Sequence, residues 1–165
     1  MQSKDKTCDS PQERFDLKEK ITDKFWLKKR PENFTKTEWE LLCDGCGKCC
    51  LNKLEMGNKI YFTSARCRFL NPNNCLCRIY EHRFEKVSDC RDITLQTVLS
   101  EPEILPKTCA YRLVVAGKDL PSWHPLVTGN ADSTHSSGNS VKGRNTTCES
   151  EVKNYEDYIV EWEGF

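Results

Sequence analysis

Residues 43–50 read Cys43-Asp44-Gly45-Cys46-Gly47-Lys48-Cys49-Cys50, four thiols in eight positions. This stretch constrains the fold more than any other. Helix or strand geometry turns successive side chains to different faces and cannot bury all four thiols as ordinary core. They therefore either hold a metal or oxidise. Seven more cysteines stand at positions 8, 67, 75, 77, 90, 109 and 148, eleven in all.

Composition and compartment bear on that choice. Ile, Leu, Val and Phe make up about a fifth of the chain and charged residues 30%, near the point where apolar burial alone ceases to support a fold. A core this lean predicts support from disulfides or from metal ligation. The first twenty residues are polar and charged, with no apolar run of the signal-peptide kind. No stretch approaches the ~20 apolar residues that span a bilayer. The expectation is a cytoplasmic protein whose thiols stay reduced, and an odd number of cysteines also fits poorly with a closed disulfide framework. Lys+Arg and Asp+Glu both number 25, so no net field draws the chain to nucleic acid or to an anionic membrane. A metal ion is the partner expected, with neither nucleic acid nor membrane.

The pattern predicts a small α-rich single domain with minor β structure, metal-stabilised, with irregular cysteine-rich loops. Residues 1–24 read as a tail with a short helix, 25–127 as the cysteine-cluster metal-binding domain, and 128–165 as a polar loop and C-terminal helix packed on the same domain. Thr35-Lys36-Thr37-Glu38 has the form of a capping box and opens a helix that should stop near Asp44-Gly45. Gly57-Asn58 marks a turn before a strand over 59–63. Helices are expected over 79–87 and over 109–116, the latter ended by Gly117. Residues 128–148, rich in Gly, Ser, Asn and Thr, read as an exposed, weakly ordered loop, and 149–162 as a last short helix.

Cys43-x-x-Cys46 has the form of a metal knuckle, in which two thiolates grip one ion and the glycines allow the backbone to turn. Cys49 extends it to the triple that also begins a bacterial ferredoxin run. Here, however, the fourth cysteine follows directly, so the ferredoxin match fails. Adjacent thiols chelate one ion poorly, which assigns Cys49 and Cys50 to different metals or one of them to the core. The candidate ligands are Cys43, Cys46, Cys49, Cys50, Cys67, Cys75, Cys77, Cys90 and Cys109. Cys75-Leu76-Cys77 in an extended segment would put both sulfurs on one face. A tetrahedral zinc takes four thiolates. Nine therefore suit two metals with one thiol over, one cluster plus structural thiols, or a polynuclear site, and spacing leaves all three open. It also leaves open zinc or iron, the latter including an iron–sulfur cluster. Four thiolates carry excess negative charge, and Arg66, Arg68, Arg78, Arg91 and Arg112 are candidates to offset it. His124 reads most simply as a packed histidine and Cys8 and Cys148 as non-ligands. No catalytic residue is identified, and a thiol redox sensor built on Cys49–Cys50 is the alternative to metal binding.

The segment Leu42 to Leu51 resembles the signature of the YcgN-type bacterial cysteine-cluster proteins, described by a CxxCxxCC motif. The similarity continues through Ile60-Tyr61-Phe62-Thr63, Cys67, Cys75-x-Cys77, Asp89-Cys90, Leu105-Pro106-x-Thr108-Cys109-Ala110-Tyr111-Arg112-Leu113 and Gly117-Lys118-Asp119-Leu120-Pro121-x-Trp123-His124-Pro125-Leu126. It runs from about Phe25 to Val141, leaving Cys8 and Cys148 outside. The resemblance implies a zinc- or iron-chelating domain and assigns no cellular role. A more distant resemblance, to flagellin lysine methylases with a similar cysteine signature, implies an iron–sulfur enzyme as a further alternative. This chain is far shorter and has no glycine-rich motif for a methyl donor.

Overall fold

A computed structural model describes residues 24–165. The tail and short helix expected over 1–24 lie outside the described residues apart from Lys24, as does Cys8.

Proline, glycine and cysteine punctuate the chain so densely that no α-helix among the described residues exceeds six residues. The first, α1 (Phe25–Lys28), buries Phe25 and Trp26 and is followed by a turn of 3-10 helix at Pro31–Asn33. The second, α2 (Lys36–Leu41), opens on the expected capping box. Thr35 Oγ1 accepts from the Glu38 amide at 3.2 Å, and Glu38 Oε2 accepts from the Thr35 amide at 2.8 Å. Burial pushes the Glu38 carboxyl up, but its bonds to Lys29 and Thr35 outweigh this and hold it below the usual carboxylate range.

The motif then leads into a hairpin, β1 (Leu51–Met56) and β2 (Lys59–Arg66), turning at Gly57-Asn58. Its antiparallel register slips between Leu51 and Lys53. Thr63 fills the irregularity: its hydroxyl donates to the Asn52 carbonyl at 2.7 Å and accepts from the Ala65 amide at 3.2 Å. Four helices follow the hairpin and its cysteine-bearing loop: α3 (Arg83–Lys86), α4 (Leu95–Ser100), α5 (Ala110–Val115) and α6 (Pro125–Thr128). After α7 (Ser133–Ser136), the short strand β3 (Thr147–Cys148) pairs in parallel with the end of β2. The sheet is therefore three-stranded and mixed, in the order β1-β2-β3.

Two apolar clusters hold these pieces together. The larger gathers Phe25, Trp26, Leu42, Val98, Leu105, Ala110, Tyr111, Val114 and Leu120 from α1, α4, α5 and their flanks. Two indole N–H groups pin its edges, Trp26 to Asp119 at 2.8 Å and Trp39 to the Ile93 carbonyl at 2.7 Å. The smaller gathers Leu51, Leu70, Cys75 and Val141, with Trp162 and Phe165 packed against it.

Several expectations are corrected. The fold is not helix-rich: the helices are one or two turns long, and a three-stranded mixed sheet accompanies them. Nor is a metal site found that would make it metal-stabilised, because among the described residues no three His, Cys, Asp or Glu side chains form a group able to hold an ion. The segment expected to be helical over 79–87 is a 3-10 turn at Tyr80–His82 running into the single turn of α3. The supposed weakly ordered loop 128–148 contains α7 and β3 and buries Ser133, Thr134, Ser140 and Val141. The last stretch forms two 3-10 segments, Glu149–Glu151 and Tyr155–Tyr158, in place of one helix.

Candidate thiol site

The cysteine motif lies where the two clusters meet. Cys43 and Cys109 pack against the larger, and Cys50 against the smaller. His124 fixes the entry to the motif. Its Nδ1 accepts from the Leu126 amide at 3.0 Å, so Nε2 carries the proton and donates to the Leu42 carbonyl at 3.0 Å. Both ring nitrogens are thus engaged by backbone, and the side chain is 1% exposed.

Inside the motif, Asp44 Oδ1 accepts from the Cys46 amide at 3.1 Å, forming a tight turn. Gly45 and Gly47 follow at φ 70° and 73°, and Lys48–Cys50 form one 3-10 turn. Distant segments anchor this turn. The Val141 amide donates to the Cys46 carbonyl at 2.9 Å, and the Cys67 amide to the Cys50 carbonyl at 2.9 Å. The Leu70–Cys77 bridge and the bond from the Arg78 amide to the Phe69 carbonyl carry Cys77 back beside Cys67.

This backbone brings Cys43, Cys49, Cys50, Cys67, Cys77 and Cys90 to the walls of one cleft of about 1470 Å³. Electrostatics divides the thiols further. Burial pushes Cys46 and Cys109 well up, and each is raised again by Cys49 and by Asp44. Cys50, Cys67 and Cys90 are also raised, each with Cys77 among the causes. The thiols therefore influence one another in two overlapping sets, Cys46 and Cys109 with Cys49 and Cys43, and Cys50, Cys67 and Cys90 with Cys77, while Cys49 also raises Cys50 and Cys90. The two touch where Cys49 Sγ and Cys50 Sγ stand 4.0 Å apart. Cys46, Cys49, Cys50, Cys67, Cys75, Cys90, Cys109 and Cys148 are free thiols.

Cys75 is not brought to the cleft. It adopts φ 59°, which breaks the extended alternation and turns its thiol into the smaller cluster. Burial raises its pKa, and the nearby Lys142 and Val141 amides and Ser140 hydroxyl offset this only in part. Cys148 lies in β3 with its sulfur accepting from Ser150 Oγ at 3.1 Å.

The charges facing the thiols are lysines more than the arginines expected. Lys53 Nζ donates to the carbonyls of Cys49 and Leu51, both at 2.9 Å; burial pulls its pKa below the ordinary lysine range, against the opposing influence of Cys49, Cys50 and Cys90. Lys48 is fully buried beside Cys46. Of the arginines, Arg66 donates to the Thr146 carbonyl, Arg112 to the Leu105 carbonyl, and Arg91 pairs with Glu101. Arg68 pairs with Glu149 but still lowers Cys67, and Arg83 lowers Cys90. Lys48 and Lys53 are the site residues that the sequence reading missed. Their signal was their position, one inside the motif and one three residues after it.

Cys49 is exposed and accepts from Cys50, which holds its thiol down to about 7 with help from Lys53. Cys50 is pushed up as the donor. In reduced, metal-free protein, Cys49 is expected to alkylate first, with a rate rising through pH about 7. Peptide mapping after brief iodoacetamide treatment across pH 5–9 (roughly the range that spans a perturbed thiol) reads this out. Equal labelling of Cys49 and Cys90 at every pH would contradict it.

Comparison with known proteins places the chain among close relatives. It is 48% identical over 142 residues to a UPF0260 protein of Granulibacter bethesdensis, covering 85% of this chain and 84% of the relative. It is 48% identical over 140 residues to a UPF0260 protein of Shewanella denitrificans, covering 84% and 94%. With a UPF0260 protein of Brucella canis it shares 46% identity over 142 residues, covering 84% and 93%. No family model and no solved structure matches. No helix among the described residues is long and apolar enough to cross a membrane. At this identity, over most of both chains, the protein belongs to the bacterial UPF0260 family.

Proposed function

We propose that this chain binds a thiophilic metal, zinc or iron, through thiolates of the motif and its neighbours. The observation that carries the reading is the convergence of six cysteine side chains on one cleft from four separate stretches of chain. Soft sulfur donors suit zinc and iron–sulfur centres and suit harder cations poorly. The division of the thiols supports two centres, Cys43, Cys46, Cys49 and Cys109 at one and Cys50, Cys67, Cys77 and Cys90 at the other. No group of three donors stands already formed among the described residues, so loading draws the thiols in around the ion. A bound divalent metal would hold four thiolates deprotonated at neutral pH, which costs protons because burial favours the neutral thiols. Asp44 and the two glycines set the turn that presents Cys46 and Cys49, and Lys53 ties the Cys49 carbonyl.

The test is thiol protection. Reduced protein is loaded with zinc, alkylated and mapped. The eight grouped cysteines are expected to lose reactivity relative to metal-free protein, while Cys148 labels equally in both. Unchanged labelling of the eight would refute the reading.

The size of the cleft beside the thiols favours a second reading, an enzyme whose substrate enters there. It requires a metal with an open coordination position, whereas a structural site is closed.

A further inference from the structure

Glu40 stands half-buried in α2, on the wall of the cleft. Among the described residues its carboxylate takes one hydrogen bond, from the Tyr80 hydroxyl to Oε2 at 2.9 Å, and no lysine or arginine pairs with it. The cleft's own arginines with ion pairs are engaged elsewhere: Arg68 with Glu149 at 3.0 Å, Arg83 with Asp92 at 3.8 Å and Arg91 with Glu101 at 3.5 Å. A carboxylate drawn out of bulk water without a matching cation is costly.

Tyr111 is a second, independent sign of a ligand. Trp39, next to Glu40 in the chain, packs its ring on that of Tyr111, 4.8 Å between centroids. Tyr111 is only 8% exposed, yet its hydroxyl has no hydrogen bond among the described residues. A tyrosine this deeply placed usually finds a partner. The hydroxyl is not sealed in, because the side-chain atoms buried without a partner among the described residues are Trp123 Nε1 and Thr134 Oγ1. Since Tyr111 lines the cleft, its hydroxyl opens there. Phe34 continues the aromatic wall, 6.4 Å from Trp39, and the Trp39 N–H is engaged by the Ile93 carbonyl. This part of the wall therefore offers acceptor oxygens and ring faces, the chemistry that receives positive charge.

We propose that Glu40, Tyr111 and the rings of Phe34 and Trp39 form a binding subsite for the cationic head of an organic ligand, a guanidinium or alkylammonium group. Glu40 Oε1 accepts from the N–H groups of the head, Tyr111 Oη accepts a further bond, and the rings flank the charge. Tyr80 holds the carboxylate in place without neutralising it. The subsite supplies a ligand class for the enzyme reading of this cleft, on which its turnover, but not its binding, rests.

The reduced full-length chain is titrated with n-butylguanidinium, n-butylammonium and neutral n-butylurea, followed by NMR at the Trp39 indole N–H and the Glu40 amide. Both cations are expected to bind saturably and shift both signals, with butylurea at least about 10-fold weaker for want of a charge-assisted contact. Glu40→Gln keeps an acceptor for Tyr80 and removes the charge, and weakens both cations about 10-fold or more. Tyr111→Phe keeps the ring and weakens them about 3–10-fold with no fall in melting temperature, which a purely structural hydroxyl would cause. A capped peptide with a central arginine separates the sources: tighter binding than butylguanidinium assigns a cation carried on a chain, weaker binding a free one. Failure of both cations to bind, equal binding of butylurea, or wild-type affinity in Glu40→Gln overturns the proposal. Zinc protection of the thiols, measured on the same protein, is a separate readout: protected thiols without cation binding leave metal binding standing and the subsite refuted, and cation binding without protection does the reverse.

Discussion

Replacing Gly47 by alanine is expected to destabilise the protein by about 2–5 kcal/mol, whereas the same change at Gly45 costs only about 1–2 kcal/mol. The two glycines have nearly the same backbone, φ 73° and 70°, so the left-handed strain of a Cβ is common to both. The surroundings differ. A Cβ on Gly47 would stand 2.9 Å from Val141 Cγ2 and 3.0 Å from Cys75 Cβ, while one on Gly45 would meet nothing within 4 Å. Neither neighbour of Gly47 yields easily. Val141 is a buried, β-branched side chain whose amide is bonded to Cys46, and the Cβ of Cys75 moves only with its backbone. Urea unfolding of both variants measures the difference directly. Equal losses at 45 and 47 would show that the motif does not pack on the 141 segment as described.

The second large effect is a contrast within Cys75-Leu76-Cys77. Cys77→Ser is expected to remove one bound metal equivalent, because Cys77 faces Cys50, Cys67 and Cys90 on the cleft wall. Cys75→Ser is expected to keep every equivalent and to lose about 1–3 kcal/mol of stability, the cost of placing a hydroxyl in an apolar cluster with imperfect bonding. Metal content by elemental analysis and melting by circular dichroism separate the two. Loss of metal in the Cys75 variant, or full metal in the Cys77 variant, contradicts the assignment.

These contrasts show where sequence reasoning reached and where it stopped. The capping box at Thr35 and Glu38 was legible because its bonds span three residues and depend on nothing else. The Gly57-Asn58 turn and β2 were legible for the same reason. Its partner β1 was not: Leu51-Asn52-Lys53-Leu54-Glu55-Met56 has mixed propensity and is a strand because β2 supplies its ladder. The 128–148 segment looks like a loop by composition, yet Val141 is buried because its amide reaches Cys46, far away in sequence. The pairing of C-x-C side chains on one face assumed extended backbone, and the positive φ at Cys75 breaks that assumption. Lys48 escaped notice because lysine is rarely buried. Which thiols line the cleft required the fold.

The measurement that bears most directly on the central claim is the metal content and absorption spectrum of the wild-type chain, purified anaerobically in its reduced state. The account predicts zinc or iron in stoichiometric amount, two equivalents of zinc if both thiol groups are filled, or a brown protein absorbing near 400 nm (roughly, for thiolate-bound iron–sulfur). A folded, reduced protein with all its thiols free and neither metal bound would contradict it.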